Sequence, residues 1–328
     1  MQPFEYVRAT NVRHAVTAAA TGPAAAFLAG GTTQVDLMKD GVLAPGVLID
    51  ITRLPLRGVA ASGGMLRVGA LTTMEELAAD PVIAERLPMV RESLLLAASP
   101  QLRNMATIGG NLLQRTRCRY YRDLSCACNK RVPGAGCDAL NGHHRMHAIL
   151  GTSEHCIATH ASDLAVALTA LDAIVHVRGP DGERAVPLTG FYLMPGDTPG
   201  AENALGPGEL ITSVEVPLLP EGTRSGYLKV RDRASYEFAL ASAAVAVRVS
   251  DGVVRDARVA LGGLATIPWR SRAAEDVLRG ATAGAQAYAA AADAALAGAR
   301  PRSGNAFKVE LGKRTIVRAL SLVAGAPG

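Results

Sequence analysis

All five cysteines of the chain, Cys118, Cys126, Cys128, Cys137 and Cys156, fall inside one window of 39 residues, and the other 289 residues contain none. Five of the seven histidines, His143, His144, His147, His155 and His160, lie in the same window or just past it. An odd, clustered set of thiols in a chain of 328 residues does not make a disulfide framework and reads as a metal site. From Arg103 to His160 the sequence has no clear helical or strand period. A stretch of about 40 residues without regular structure inside a compact domain is normally functional.

The rest of the chain is ordinary globular sequence. Hydrophobic residues make up 49% and charged residues 19%, which suits a buried core and excludes a disordered chain. Aromatics are only 4%, with a single tryptophan, Trp269, so the core rests on Ala, Val and Leu. The net charge of +5 is dispersed, and nucleic acid is not an expected partner. Met1 to Val12 carries Glu5 and no basic segment followed by an apolar one, so no secretory signal is read there. No apolar run is long enough for a membrane span.

The element pattern predicts an α+β fold. Short strands are expected over 24–30, 47–51, 66–70 and 173–178. Thr32 or Thr33 is expected to cap a helix that stops at Gly41, and Thr72 or Thr73 a helix over 74–79. A longer helix over 87–98 ends at the breaker Ser99-Pro100, and an apolar helix covers 163–172. Asp181-Gly182 predicts a hairpin turn. Pro and Gly crowd 195–223 and mark a domain boundary near 222. Beyond it, strands are expected over 227–230, 239–249 and 258–262, then helices over 285–298 and 307–323. The last of these has a stripe of Val309, Leu311, Ile316, Leu320 and Val323.

Phe27-Leu-Ala-Gly-Gly-Thr-Thr-Gln34 places paired glycines and threonines between a strand and a helix. Successive N–H groups at such a turn form an anion nest suited to a pyrophosphate, although an ordinary strand–helix turn has the same composition. Arg103-Asn-Met-Ala-Thr-Ile-Gly-Gly-Asn111 repeats the arrangement, and two such loops can hold the two ends of one dinucleotide. No G-x-x-x-x-G-K-[ST] exists, and Gly134-Ala-Gly-Cys-Asp-Ala139 does not follow a strand, so neither nucleotide fingerprint applies.

Phe27-Leu-Ala-Gly-Gly-Thr, Val68-Gly-Ala-Leu-Thr-Thr, Ala106-Thr-Ile-Gly-Gly-Asn and Ser162-Asp-Leu-Ala-Val-Ala-Leu resemble, in order and spacing, the FAD-binding subunits of the xanthine dehydrogenase family of molybdenum hydroxylases. Lys229-Val-Arg-Asp-Arg-Ala-Ser-Tyr-Glu-Phe-Ala-Leu is similar to the start of that family's C-terminal flavoprotein domain. The resemblance implies an FAD-binding domain of the vanillyl-alcohol-oxidase (PCMH) type over 1–222, with an insertion at about 112–160, and a C-terminal α+β flavoprotein domain over 223–328. It implies that Phe27, Leu28, Ala29, Gly30, Gly31, Thr32, Thr33 and Gln34 form the FAD segment, with Leu28 to Gln34 around the pyrophosphate. Thr107, Gly110 and Asn111 would take the cofactor's second face, Asp163 its ribose or adenine end, and Lys229 its isoalloxazine. From the residues alone, Asp163 also reads as a carboxylate on a helix N-terminus, and Lys229 as a solvated charge at a strand edge.

The cysteine insertion resembles most the flavin subunit of periplasmic aldehyde oxidoreductases, through Gln114-Arg-Thr-Arg-Cys118, Cys128-Asn-Lys-Arg, Pro133-Gly-Ala-Gly-Cys137 and Cys156-Ile-Ala-Thr-His-Ala-Ser-Asp163. That resemblance implies a [4Fe–4S] cluster on Cys118, Cys128, Cys137 and Cys156, with Cys126 spare. Four thiolates are what a cubane needs, and Arg115, Arg117, Arg119, Arg122, Lys130 and Arg131 offer a positive surround. The residues also allow zinc on Cys126, Cys128, His143 and His147, in a non-catalytic assembly module. A flavin subunit of the 4-hydroxybenzoyl-CoA reductase type is a further alternative. The aldehyde oxidoreductase resemblance implies a heterotrimer in which partner subunits hold the molybdenum cofactor and two [2Fe–2S] clusters, with an external electron acceptor. The location implied is the periplasm, by co-export with a signal-bearing partner, or otherwise the cytoplasm.

Overall fold

The computed structural model describes residues 1–22 and 24–324. The chain opens with a small parallel sheet of β1 (Glu5–Arg8), β2 (Ala25–Leu28) and β3 (Val47–Asp50), in the order β1-β3-β2. Helices Val12–Thr21 and Gln34–Lys39 make the two crossovers that parallel strands require. Asn11 caps the first of them through its side chain, which accepts from the His14 N–H at 2.8 Å. A local β-α-β-α-β unit therefore begins a fold that is α+β as a whole.

The second sheet has five antiparallel strands: β4 (Val59–Ser62), β5 (Met65–Gly69), β6 (Ile174–Gly179), β7 (Gly182–Pro187) and β8 (Leu210–Pro217), ordered β4-β5-β8-β6-β7. Strands β6 and β7 form the expected hairpin one residue earlier than Asp181-Gly182: Pro180 and Asp181 make the turn, and Gly182 opens β7 opposite Gly179. Helix Met74–Ala79 starts at Thr73 with a full capping box closed by Glu76. The helix expected over 87–98 is shorter, Pro88–Leu95, because Leu87 lies between it and a preceding helix, Pro81–Arg86. Ser99-Pro100 does not end structure; it begins the turn Pro100–Arg103, with Ser99 as cap and Pro at the first helical position.

The third sheet, β9 (Thr223–Val230), β10 (Ala241–Ser250), β11 (Val253–Gly262) and β12 (Trp269–Arg270), is antiparallel in the order β12-β11-β10-β9. Asp251-Gly252, both with positive φ (55° and 71°), makes the tight turn between β10 and β11. Strand β10 is buried on both faces from Ala241 to Val247. Its even positions Ala244 and Ala246 join the core shared with helix Asp163–Ala170, and its odd positions Ala243, Val245 and Val247 join the core under the last helices. Alanine makes this possible: short side chains let helix Phe307–Ala324 lie close to β10 and β9, with helix Ala285–Leu296 packed against it. Among the described residues no helix is long and apolar enough to cross a membrane.

Candidate functional site

The two glycine loops are packed directly on one another. A Cβ at Gly30 would stand 1.8 Å from the carbonyl oxygen of Met105, so glycine is required there by the approach of the second loop. Gly31 has φ of +72°, and a Cβ would meet only the ends of Val35 and Leu28, at 3.2 and 3.5 Å. Its constraint is conformation rather than room. Thr33 stands at the start of helix Gln34–Lys39 but makes no side-chain hydrogen bond to it, so the expected threonine cap is absent. In the second loop Thr107 does cap, its Oγ1 accepting from Gly110 N–H at 3.3 Å. The second loop is fixed to the body by Met74 N–H to the Ala106 carbonyl (2.8 Å) and Gly109 N–H to the Ala70 carbonyl (2.9 Å).

These loops form one wall of a cleft of about 670 Å³ that Gly31, Thr32, Thr33, Gly110, Asn111, Asp163 and Lys229 line. Of the other residues expected to form the site, Phe27 and Ala29 pack on the small first core, Leu28 ends β2, and Gln34 opens the helix. Tyr236 and Phe238 stand half out of the protein at the opposite side of the cleft, and the Arg117 guanidinium lies 5.2 Å from the Phe238 ring centre.

Asp163 and Lys229, expected at different ends of a ligand, meet: Lys229 Nζ is 2.7 Å from Asp163 Oδ2, with side chains only 1% and 7% exposed. Lys229 is therefore no solvated edge charge. Nζ also donates to the Leu96 carbonyl at 3.1 Å. The Tyr227 hydroxyl donates to Asp163 Oδ1 at 2.6 Å and lies 2.8 Å from Ser242 Oγ. Burial pushes the Asp163 carboxyl up, while the Lys229 ammonium and then the Tyr227 hydroxyl draw it back. Ser162 caps helix Asp163–Ala170 and donates to Asn111 Oδ1 at 2.6 Å, joining the helix to the second loop. Tyr227, Ser242 and Ser162 were not singled out in the sequence. The signal for Tyr227 was there, because positions 227 and 229 of one strand share a face.

The cysteine segment is irregular yet firmly tied. Arg131 donates to the carbonyls of Tyr120 (3.0 Å), Tyr121 (2.7 Å) and Cys126. Much of the positive surround is neutralised: Arg115 and Lys130 pair with Glu202, and Arg122 with Asp36 and Asp40. Cys128 and Cys137 face each other across an isolated antiparallel backbone bridge. Cys128 and Cys156 are buried, Cys118 and Cys137 half-buried. Burial pushes Cys118 up to about 12, and raises Cys137 and Cys156 as well. Each of these three is raised further by the other thiols of the same four. Backbone N–H groups oppose this: Tyr120 and Tyr121 donate toward Cys118, Ala139, Leu140 and Ile157 toward Cys137, and Ala158 toward Cys156. Donors aimed at sulfur suit thiolate ligands.

Cys126 has different company, the carboxylates of Asp123 and Asp138. The tetrahedral zinc set is not gathered. His143 is exposed and His147 Nε2 lies 3.2 Å from Cys118 Sγ instead. Among the described residues no three Cys, His, Asp or Glu side chains stand close enough to hold a single metal ion. A single zinc would need its sulfurs about 3.8 Å apart, from bonds of ~2.3 Å in a tetrahedron; a cubane holds its four thiolates farther apart. Four thiols with backbone donors aimed at three of them are the donor chemistry a cubane takes. Cys118, Ser162 and Asp163 line a second cavity of about 510 Å³, and Asp163, Arg117 and Phe238 line both it and the cleft.

Comparison with known proteins agrees with this geometry. Residues 2–219 match the family described as the FAD-binding domain in molybdopterin dehydrogenase, and residues 226–323 the CO dehydrogenase flavoprotein C-terminal domain. The chain is 47% identical to the aldehyde oxidoreductase FAD-binding subunit PaoB of Escherichia coli, over 98% of each chain. It is 30% identical to the carbon monoxide dehydrogenase medium chain of Hydrogenophaga pseudoflava, over 97% of this chain and 96% of that one. A solved structure of carbon monoxide dehydrogenase from the same organism superposes with a TM-score of 0.78, covering 99% of both chains. By sequence, fold and the loops that form its cleft, the chain belongs to the FAD-binding subunits of the molybdenum hydroxylase family.

Proposed function

We propose that this chain is the FAD- and [4Fe–4S]-binding electron-transfer subunit of a molybdenum-dependent aldehyde oxidoreductase. In this reading it acts within a heterotrimer, between [2Fe–2S] clusters on one partner and an external acceptor, with the molybdenum centre on another partner. The observation that carries it is the adjacency of the two sites: Arg117 lines the cleft while its neighbour Cys118 lines the next cavity, and Asp163 borders both. The likeness to an aldehyde oxidoreductase subunit over almost the whole length supports the substrate class. The periplasm, reached with a signal-bearing partner, is the location proposed, and the cytoplasm the alternative.

The chemistry is the cofactors' own: bound flavin accepts electrons in ones and twos, and an iron–sulfur cluster carries one at a time. The chain's residues bind and orient. Gly31 and the start of helix Gln34–Lys39 offer N–H groups to a pyrophosphate, and Gly110 and Asn111 line the second face. The Asp163–Lys229 pair fixes a charge at the cleft wall, held in a dry site by Tyr227 and the Leu96 carbonyl. Cys118, Cys128, Cys137 and Cys156 would hold the cluster.

The test is the assembled complex carrying Ser at each cysteine in turn, assayed for flavin, iron and sulfide with a visible spectrum. Ser at Cys118, Cys128, Cys137 or Cys156 should remove or convert the cluster, while Cys126→Ser keeps the four iron and four sulfide that the complex holds beyond those of the partner's two [2Fe–2S] clusters. A wild-type complex containing zinc and no iron beyond that of the partner's [2Fe–2S] clusters, or one whose additional iron depends on Cys126 and not on Cys128, refutes the reading.

A further inference from the structure

His147 stands where the cysteine segment meets the last helix. It is 5% exposed, and its Nε2 lies 3.2 Å from the sulfur of Cys118. Its other ring nitrogen, Nδ1, is buried and has no hydrogen-bond partner among the described residues. A neutral imidazole carries one N–H. On Nδ1 that proton would be a buried donor without an acceptor, which is costlier than an unfilled lone pair. The proton therefore belongs on Nε2. A metal-bound thiolate has no proton to give, so the contact is then an N–H···S hydrogen bond from His147 to Cys118.

The backbone of His147 is held from two sides. Its carbonyl accepts from Lys308 Nζ at 3.0 Å and Asn305 Nδ2 at 3.3 Å, and its N–H donates to the His144 carbonyl at 2.7 Å. Asn305 and Lys308 are both fully buried, and Lys308 Nζ makes its second bond to the Gly263 carbonyl at 2.7 Å. Among the described residues no carboxylate partners this lysine, and its acceptors there are the two carbonyls. Burial lowers this amine from 10.5 to about 7, and a polar group so desolvated is kept only where its hydrogen bonds are met. Neither group lines the cleft.

We propose that His147 is a positioning residue that donates Nε2–H to Cys118 and raises the reduction potential of the iron–sulfur cluster held there, with Asn305 and Lys308 fixing its place. This rests on the reading of the four cysteines as cluster ligands. The reduced cluster carries one more negative charge, so a donor aimed at a ligand sulfur stabilises it more than the oxidised form. One electron enters; no bond forms or breaks, and the proton stays on His147.

The test compares His147→Leu with His147→Gln in the assembled complex, titrated with dithionite and followed by electron paramagnetic resonance, with iron and sulfide counted in parallel. The Leu variant should keep its iron and shift the one-electron equilibrium toward the oxidised form by about tenfold, or ~59 mV. The Gln variant, which retains an N–H donor at similar reach, should recover most of that shift, and the flavin potential should not move. Iron lost with Leu but kept with Gln also supports the donor, because the two side chains are similar in size and differ in donating. An unmoved potential with iron intact, or iron lost from both variants, overturns the inference. A wild-type complex with no iron beyond that of the partner's [2Fe–2S] clusters fails earlier, at the ligand reading itself.

Discussion

Replacing Gly30 by alanine tests whether the contact between the two glycine loops is what shapes the cleft. The added methyl would stand 1.8 Å from the Met105 carbonyl oxygen and 2.6 Å from its carbon, where ordinary contact begins at 3.4 Å. Both atoms are backbone, so no side chain can turn away and the loops must part by roughly 1.5 Å, the shortfall from that contact distance. Overpacking of this kind costs about 1–3 kcal/mol, and the high end applies here because Met105–Ala106 is anchored by the bond from Met74. Each N–H that then misses the pyrophosphate forfeits a charge-assisted hydrogen bond of about 1.5–3 kcal/mol, or roughly ten- to a hundredfold in affinity. Gly31→Ala should behave differently: room exists, and the cost is about 1–2 kcal/mol for holding alanine at φ of +72°. The assay is the flavin-to-protein ratio after purification, with the dissociation constant of added FAD and a thermal melt of each variant. Gly30→Ala should bind FAD at least tenfold more weakly than Gly31→Ala. Full flavin occupancy and an unshifted melt in Gly30→Ala would refute the reasoning that the loops must touch.

The Asp163–Lys229 pair should show strong coupling. Lys229→Met leaves a buried carboxylate with one hydroxyl donor and should destabilise the flavin-free chain by about 3–5 kcal/mol in urea unfolding, while the double variant with Asp163→Asn loses much less than the sum. Asp163 without its cation is raised further, so that loss should be smaller at pH 5 than at pH 8; equal losses at both would show that the pair is not charged. His160 is half-buried against the edge of Tyr192, at a centroid distance of 4.5 Å, and desolvation lowers it from 6.5 to about 3. Below pH 6.5 the unfolded chain takes up a proton that the folded chain refuses, so stability falls with pH by about 1.4 kcal/mol per unit from this group until about pH 3. His160→Gln should flatten that part of the stability–pH curve, and an unchanged slope would assign it elsewhere.

The sequence determined by itself the parts that depend on local chemistry. The Thr73 capping box, the hairpin at Asp181 and the Ala-rich helix Ala285–Leu296 all follow from residues a few positions apart, and all formed. The two glycine loops, the clustering of the cysteines and the α+β class were also legible, because each needs only composition and order. Where local signals were weak the reading was too. Strands β1, β4, β7, β8 and β12 were not anticipated: β1, β4 and β12 are short, β7 is largely exposed, and β8 lies in the stretch read from its Pro and Gly as a boundary, while Ser99-Pro100 reads equally as a stop and as a start.

Only the tertiary structure decided which residues meet. Gly30 lies 75 residues from the Met105 carbonyl that forbids it a side chain, and Asp163 lies 66 residues from the lysine it pairs with. His147 reads as a loop histidine until Cys118, from 29 residues away, is placed against its Nε2. Burial, too, is a property of the whole: Lys229 and Lys308 stand in unremarkable surroundings along the chain, and each becomes a buried amine only when two elements close over it. Such contacts are set by how sheets and helices stack, and no period or motif along the chain encodes a distance between segments that the fold alone brings together.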